Sequence, residues 1–69
     1  MIGRAPYLSR LKEHRQRREL TQIELSKISE VSRATIADLE AGKRGAYDSS
    51  LKELARALTV KPHELMKGE

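Results

Sequence analysis

Apolar residues recur along this chain at the spacing of helix faces, separated by short polar breaks. Leu25 and Ile28 are spaced to point inward from one helix. Ile36 and Leu39 repeat that spacing in the next helix. The longest apolar stripe comprises Leu51, Leu54, Ala55 and Leu58. Five helices are expected, over residues 7–18, 22–28 and 33–41, from a start at residues 48–50, and from Pro62 in a last short helix.

Two helix starts in the middle of the chain define a helix-turn-helix. Thr21 has the chemistry of an N-cap, and Glu24 three residues later completes a capping box. Ser32 is a second N-cap, and Gly42 is expected to end the helix that Ser32 begins. The caps leave room for two turns of helix and a turn of about three or four residues, which is helix-turn-helix spacing. The local signals therefore predict DNA binding.

Composition and charge agree with that prediction. With 69 residues, no cysteine and no long apolar run, we expect one all-α domain without disulfides or a membrane span. The formal net charge of +4 favours a polyanionic partner, and the cations cluster at residues 4–18 and at Lys43-Arg44. We expect a flexible arm over residues 1–6 and the helix-turn-helix domain over residues 7–69.

The helix that begins after Ser32 has an unusual polar face. Opposite Ile36 and Leu39 it carries Ala34 and Ala37, which are too small for a face designed only for solvation. Small side chains allow another surface to come close. We expect that surface to be a DNA duplex.

The chain closely resembles the phage-repressor (Cro/C1-type, or XRE) helix-turn-helix family. The motifs T-Q-x-E-L, V-S-R-x-T-I, L-E-x-G-K-R and L-A-x-A-L follow one another at the family spacing, and the resemblance covers residues 8–66. It implies a lambda-repressor-like bundle of five helices that binds operator DNA, commonly as a dimer. It further implies that Arg15 and Glu40 form an internal salt bridge, a pairing that their spacing also suggests.

The resemblance assigns the DNA contacts to specific positions. It implies that bases are contacted from the first helix turn after Ser32 and from one later position: Arg33, Ala34 and Asp38. It implies phosphate contacts at Gln22, Ser32, Lys43 and Arg44. The family usually has glycine where Glu19 and Glu30 stand, so these turns either avoid positive φ or are strained.

Side-chain chemistry adds three further residues. Ala37 is suited to contact with a thymine methyl group, and Arg18 to a phosphate. Tyr47 either donates to a phosphate or fills the core. Arg33 suits guanine, although contact with phosphate alone stays open. Asp38 either accepts from cytosine or lies in solvent.

These features favour a sequence-specific transcriptional regulator, most simply a repressor, that binds a palindromic operator as a homodimer. We expect the dimer to form near Val60, Leu65 and Met66. The alternative is a protein-interaction module, such as an antitoxin or a restriction–modification controller. No catalytic or metal cluster is apparent, so we expect no enzyme, cofactor or small-molecule ligand, and a cytoplasmic protein of a prokaryote or phage.

Overall fold

The computed structural model describes residues 6–66, which fold into four α-helices and one 3₁₀ turn around a single apolar core. The helices are α1 (Leu11–Arg17), α2 (Gln22–Ser29), α3 (Arg33–Glu40) and α4 (Asp48–Leu58), and the 3₁₀ turn is Pro62–Leu65. The expected arm over residues 1–6 lies outside the described residues, apart from Pro6.

The prediction of five helices is wrong, because the last element is a single 3₁₀ turn. Its backbone bonds join residues three apart, from Glu64 N–H to Lys61 O at 2.9 Å and from Met66 N–H to His63 O at 3.2 Å. Pro62 stands at its start, as expected. One turn is enough to bury Leu65 completely, so packing at this end does not require a full α-helix.

Helix α1 is shorter than the predicted 7–18, because tertiary hydrogen bonds hold the segment before it. The Ala46 N–H donates to the Pro6 carbonyl at 2.7 Å, and the Arg10 N–H donates to the Leu65 carbonyl at 3.1 Å. Residues 6–10 therefore run between the loop that precedes α4 and the 3₁₀ turn. Leu8 is buried from this non-helical segment.

The core is built from the apolar stripes, with one exception on α2. The stripe of α4 is buried as predicted, and so are Leu25, Ile36 and Leu39. Ile28, which the spacing placed inward, is 55% exposed. The neighbouring Ser29 is buried instead, and its hydroxyl accepts a hydrogen bond from the Val31 N–H at 3.2 Å. A small polar side chain thus takes the buried position at the end of α2.

Local capping agrees with the sequence. Thr21 Oγ1 accepts from the Glu24 N–H at 3.0 Å, and Glu24 Oε1 accepts from the Thr21 N–H at 2.8 Å, which completes the capping box. Gly42 takes the left-handed conformation after α3, with φ +74°. Among residues 6–66, three residues other than glycine also have positive φ: Glu19, Glu30 and Thr59. No helix within residues 6–66 is long and apolar enough to cross a membrane.

Candidate nucleic-acid interface

Helix α3 is oriented by its cap and its two buried residues. Ser32 Oγ accepts from the Thr35 N–H at 3.1 Å and satisfies one of the free donors at the helix start. Ile36 and Leu39 are at most 1% exposed and attach α3 to the core. The opposite side of the helix is consequently turned away from the interior.

The four residues predicted to contact bases lie on α3 with unequal exposure. Arg33 and Ala34, in the first turn, are exposed. Ala37 and Asp38, one turn later, are half-buried and still accessible. A surface that approaches this side meets small side chains along the helix and one guanidinium at its start.

The other end of α3 is joined to α1 and α2 by the carboxylate of Glu40. Arg15 binds it with two parallel hydrogen bonds, from Nε to Oε2 at 2.6 Å and from Nη2 to Oε1 at 3.0 Å. A third guanidinium donor of Arg15 reaches the Leu20 carbonyl at 2.7 Å, in the turn between α1 and α2. The structure thus brings Arg15 and Glu40 together in the arrangement expected for them.

Burial and pairing act in opposite directions on Glu40. Desolvation of the carboxylate, whose side chain is 5% exposed, would raise its pKa. The hydrogen bonds from Arg15 and Gln22 and the guanidinium charge lower the pKa, and the net direction is below the ordinary value. The hydrogen bonds that Arg15 donates to Glu40, together with the carboxylate charge, raise the pKa of Arg15 against desolvation. The pair is therefore charged over the whole neutral range.

Gln22, expected to contact a phosphate, is also part of this junction. Its Nε2 donates to Glu40 Oε1 at 3.0 Å, and this hydrogen bond links α2 to α3. The side chain is half-buried at the start of α2. Since a primary amide has two N–H donors, the contact with Glu40 leaves one donor for another acceptor.

The remaining residues predicted to contact phosphates lie around the ends of the helices. Arg18 is exposed directly after α1, and Lys43 is exposed in the loop after α3. Tyr47, at the N-cap of α4, is 72% exposed, while the neighbouring Ala46 is 2% exposed and takes the core position. Of the two roles considered for Tyr47, the structure rules out filling the core.

Arg44 makes a contact that the sequence does not suggest. Its Nη2 donates to Thr35 Oγ1 at 2.9 Å, so the loop side chain returns to the first turn of α3. Thr35 was absent from the predicted site. The available signal was its position three residues after the cap, where a side chain can turn back over the helix start.

The expected dimer surface requires one correction. Leu65 is 0% exposed and packs in the core of its own chain, so it is unavailable to a partner. Val60 and Met66 are half-buried and pack against that core from its edge.

The family follows from comparison with known proteins. Residues 11–65 match the family model described as helix-turn-helix. The match spans all four α-helices and the 3₁₀ turn, and the chain belongs to this family. The resemblance to the Cro/C1-type members is confirmed.

One relative in sequence matches most of this chain. The HTH-type transcriptional regulator RghRB of Bacillus subtilis is 40% identical over 63 residues, which are 90% of this chain and 45% of that protein. The chain therefore spans less than half the length of this relative.

Two solved structures share the fold over nearly their full length. The restriction-modification controller protein C.AhdI from Aeromonas hydrophila has a TM-score of 0.80 and 32% identity, covering 87% of this chain and 91% of that one. The P22 c2 repressor, solved in complex with synthetic operator 9T, has a TM-score of 0.81 and 26% identity, covering 93% and 97%. The first of these proteins is named as a controller and the second as a repressor.

Proposed function

We propose that this protein is a sequence-specific DNA-binding transcriptional regulator whose α3 enters the major groove. The observation that carries this proposal is the outward side of α3, where Arg33 and Ala34 are exposed while Ile36 and Leu39 hold the opposite side in the core. A helix-turn-helix presents the N-terminal residues of its second helix to base edges. The names of the relatives support a regulator, and the operator in the P22 c2 structure supports a duplex as partner.

The side chains divide into two sets of contacts. Arg33 is suited to guanine O6 and N7, which is worth about 1–3 kcal/mol of discrimination. Ala34 and Ala37 suit thymine methyl groups, and Asp38 suits the amino group of cytosine. The proposed phosphate contacts are Arg18, Gln22, Ser32, Lys43 and Tyr47, whose contribution falls with rising salt.

A homodimer on a palindromic operator is the assembly that we propose. Two copies of α3 would then enter successive major grooves about 34–36 Å apart. The accessible parts of Val60 and Met66 supply the apolar edge for the partner, whereas Leu65 does not. We further propose a repressor without enzymatic activity that acts in the cytoplasm, where the DNA of a prokaryote or phage lies.

The decisive experiment selects binding sequences from a pool of random duplexes and then compares Arg33→Ala with the unchanged protein. We expect the wild-type protein to enrich a palindromic sequence. The variant should lose about 5- to 150-fold of its preference at one base pair in each half-site.

Arg56→Ala is the matched control. Arg56 is an arginine with a 79% exposed side chain in the last turn of α4, a different helix from α3. The control should keep the preference of the wild-type protein. Failure of the wild-type protein to enrich any sequence would contradict the proposed function and favour a protein-interaction module.

A further inference from the structure

One side-chain contact joins the loop after α3 to the first turn of the same helix. Arg44 Nη2 donates to Thr35 Oγ1 at 2.9 Å. The same oxygen lies 2.9 Å from the hydroxyl of Ser32, which caps the helix. Because Thr35 is the third residue of α3, this contact carries the Arg44 guanidinium from the loop back to the start of the helix.

The position that receives Arg44 differs from an ordinary helix start. In a capping box the third residue is Glu or Gln, whose side chain turns back to the cap. The first turn of α3 contains no acidic residue, and Thr35 occupies this place. A cation beside a helix N-terminus is repelled by the helix dipole. Arg44 is therefore held beside a helix start whose own first turn supplies no negative charge to compensate it.

Arg33 and Arg44 approach the outward side of α3 from its two flanks. An α-helix turns by about 100° per residue, so Arg33 and Thr35 lie on either side of Ala34. Arg33 and Ala34 are exposed, and Arg44 is anchored on the Thr35 side. Two guanidinium groups thus border one small, accessible side chain.

We propose that Arg44 contacts a base edge in the major groove rather than a phosphate, and that Thr35 is the positioning residue that holds its guanidinium there. This inference rests on the proposed function of α3. The start of a recognition helix is the end that meets bases, and guanine accepts two hydrogen bonds from one arginine. Thr35 occupies one of the five N–H donors of Arg44, which leaves four for a base.

Arg44→Gln and Lys43→Gln separate base contact from phosphate contact. Each removes one exposed positive charge from the same loop. Affinities are measured for the duplex selected by the wild-type protein and for all its single base-pair variants, at several salt concentrations. Arg44→Gln should lose about 5- to 150-fold of discrimination at one base pair. Lys43→Gln should weaken all duplexes alike and reduce the slope of log affinity against log salt by about one.

Substitutions of Thr35 test the positioning role. Thr35→Val removes the hydroxyl acceptor, and Thr35→Ser retains it. We expect Thr35→Val to lose part of the discrimination at the same base pair as Arg44→Gln, and Thr35→Ser to restore it. In the Arg44→Gln background, Thr35→Val should cause no further loss of discrimination, because its effect passes through Arg44.

Three results would overturn the inference. The first is a loss of affinity for Arg44→Gln that is equal across all duplexes. The second is an unchanged base-pair preference in Thr35→Val. The third is an equal loss of discrimination from Thr35→Val with and without Arg44. Thermal unfolding of each variant shows whether the fold is kept. The predicted loss of base-pair preference in variants that remain folded supports the inference. Suppose that the wild-type protein selects a sequence and that Arg33→Ala weakens this preference. Any of the three results then refutes only the inference about Arg44 and Thr35, and the proposed function is unaffected.

Discussion

The two ends of α3 use polar side chains in opposite ways. At the C-terminal end, Glu40 is nearly buried and accepts hydrogen bonds from α1 and α2. At the N-terminal end, Arg33 and Arg44 are exposed, and the contact of Arg44 with Thr35 lies at the surface.

We expect this difference to separate stability from the proposed recognition along a helix of eight residues. A buried ion pair is costly to break, because the charge that remains has lost both its partner and water. Exposed polar contacts contribute little to folding. Substitutions at the Glu40 end should therefore change stability, and those at the Ser32 end should change binding.

The largest expected effect is on stability, from Arg15→Met. The substitution keeps an unbranched apolar stem and leaves the Glu40 carboxylate buried without its cation. The free energy of unfolding should fall by about 3–5 kcal/mol, measured by urea denaturation. Arg17→Met on the same helix removes an exposed partner of Glu13 and serves as the control, with a small change expected. Equal losses in the two variants would refute the distinction between the ends of α3.

The Glu40 end of α3 should also make the stability of the fold depend on pH. The pKa of Glu40 is lower in the folded protein than its ordinary value of 4.5, so the unfolded chain takes up a proton first as the pH falls. The stabilisation is fully present above the unfolded value and is lost as the pH falls through the folded one. Melting temperatures between about pH 3 and pH 7 should therefore decrease toward acid, and less steeply in Glu40→Gln. Parallel curves for the two proteins would exclude Glu40 as a source of the dependence.

At the other end, Ala34→Leu should separate binding from stability. Ala34 is exposed, so the free energy of unfolding should change by no more than about 0.5 kcal/mol. If α3 enters the major groove as proposed, the larger side chain holds it away, and affinity for the selected duplex should fall by about tenfold or more, or about 1.4 kcal/mol. Ala41→Leu, exposed just after the last residue of α3, is the control and should reduce affinity less. The opposite ranking, measured by fluorescence anisotropy, would contradict the orientation proposed for α3.

The smallest expected effects come from turn positions that belong to neither end. Glu30 and Thr59 have φ of 64° and 57°, a region that costs residues with a Cβ about 1–2 kcal/mol. Glycine avoids this strain at some entropic cost, so Glu30→Gly and Thr59→Gly should each stabilise by about 0.5–1 kcal/mol. Glu53→Gly, within the right-handed backbone of α4, should instead destabilise by about 1 kcal/mol. Thermal unfolding would measure all three, and destabilisation by Glu30→Gly would show that its side chain outweighs the strain.

The accuracy of the sequence-based expectations depended on the range of the interactions involved. The capping box of Thr21, the cap at Ser32 and the stripe of α4 depend on residues within one or two helix turns, and all were predicted. The predicted inward position of Ile28 was wrong, because Ser29 and not Ile28 is the residue of this helix turn that faces the core. Periodicity assigns the inward side of a helix only approximately, and the neighbouring helices determine which residue is buried.

Apart from the pair of Arg15 and Glu40, contacts between distant residues were the part that the sequence did not reveal. The early end of α1 depends on the backbone bond from Arg10 to Leu65, and the place of Arg44 depends on a bond to Thr35. The first bond has no local signature, and the second has only the position of Thr35 three residues after the cap. The predicted outward side of α3 required only helical spacing and is exposed as expected in its first turn, whereas the DNA contacts of individual residues stay predictions.

The non-helical segment 6–10 is hydrogen-bonded to two separate parts of the chain. Its first residue holds the loop before α4 through Ala46, and its last residue holds the 3₁₀ turn through Leu65. Both attachments use backbone atoms, so replacing the exposed side chains Tyr7 and Ser9 leaves them intact. The loop that carries Arg44 and the turn that leads to Met66 are consequently both attached to segment 6–10 through backbone atoms alone.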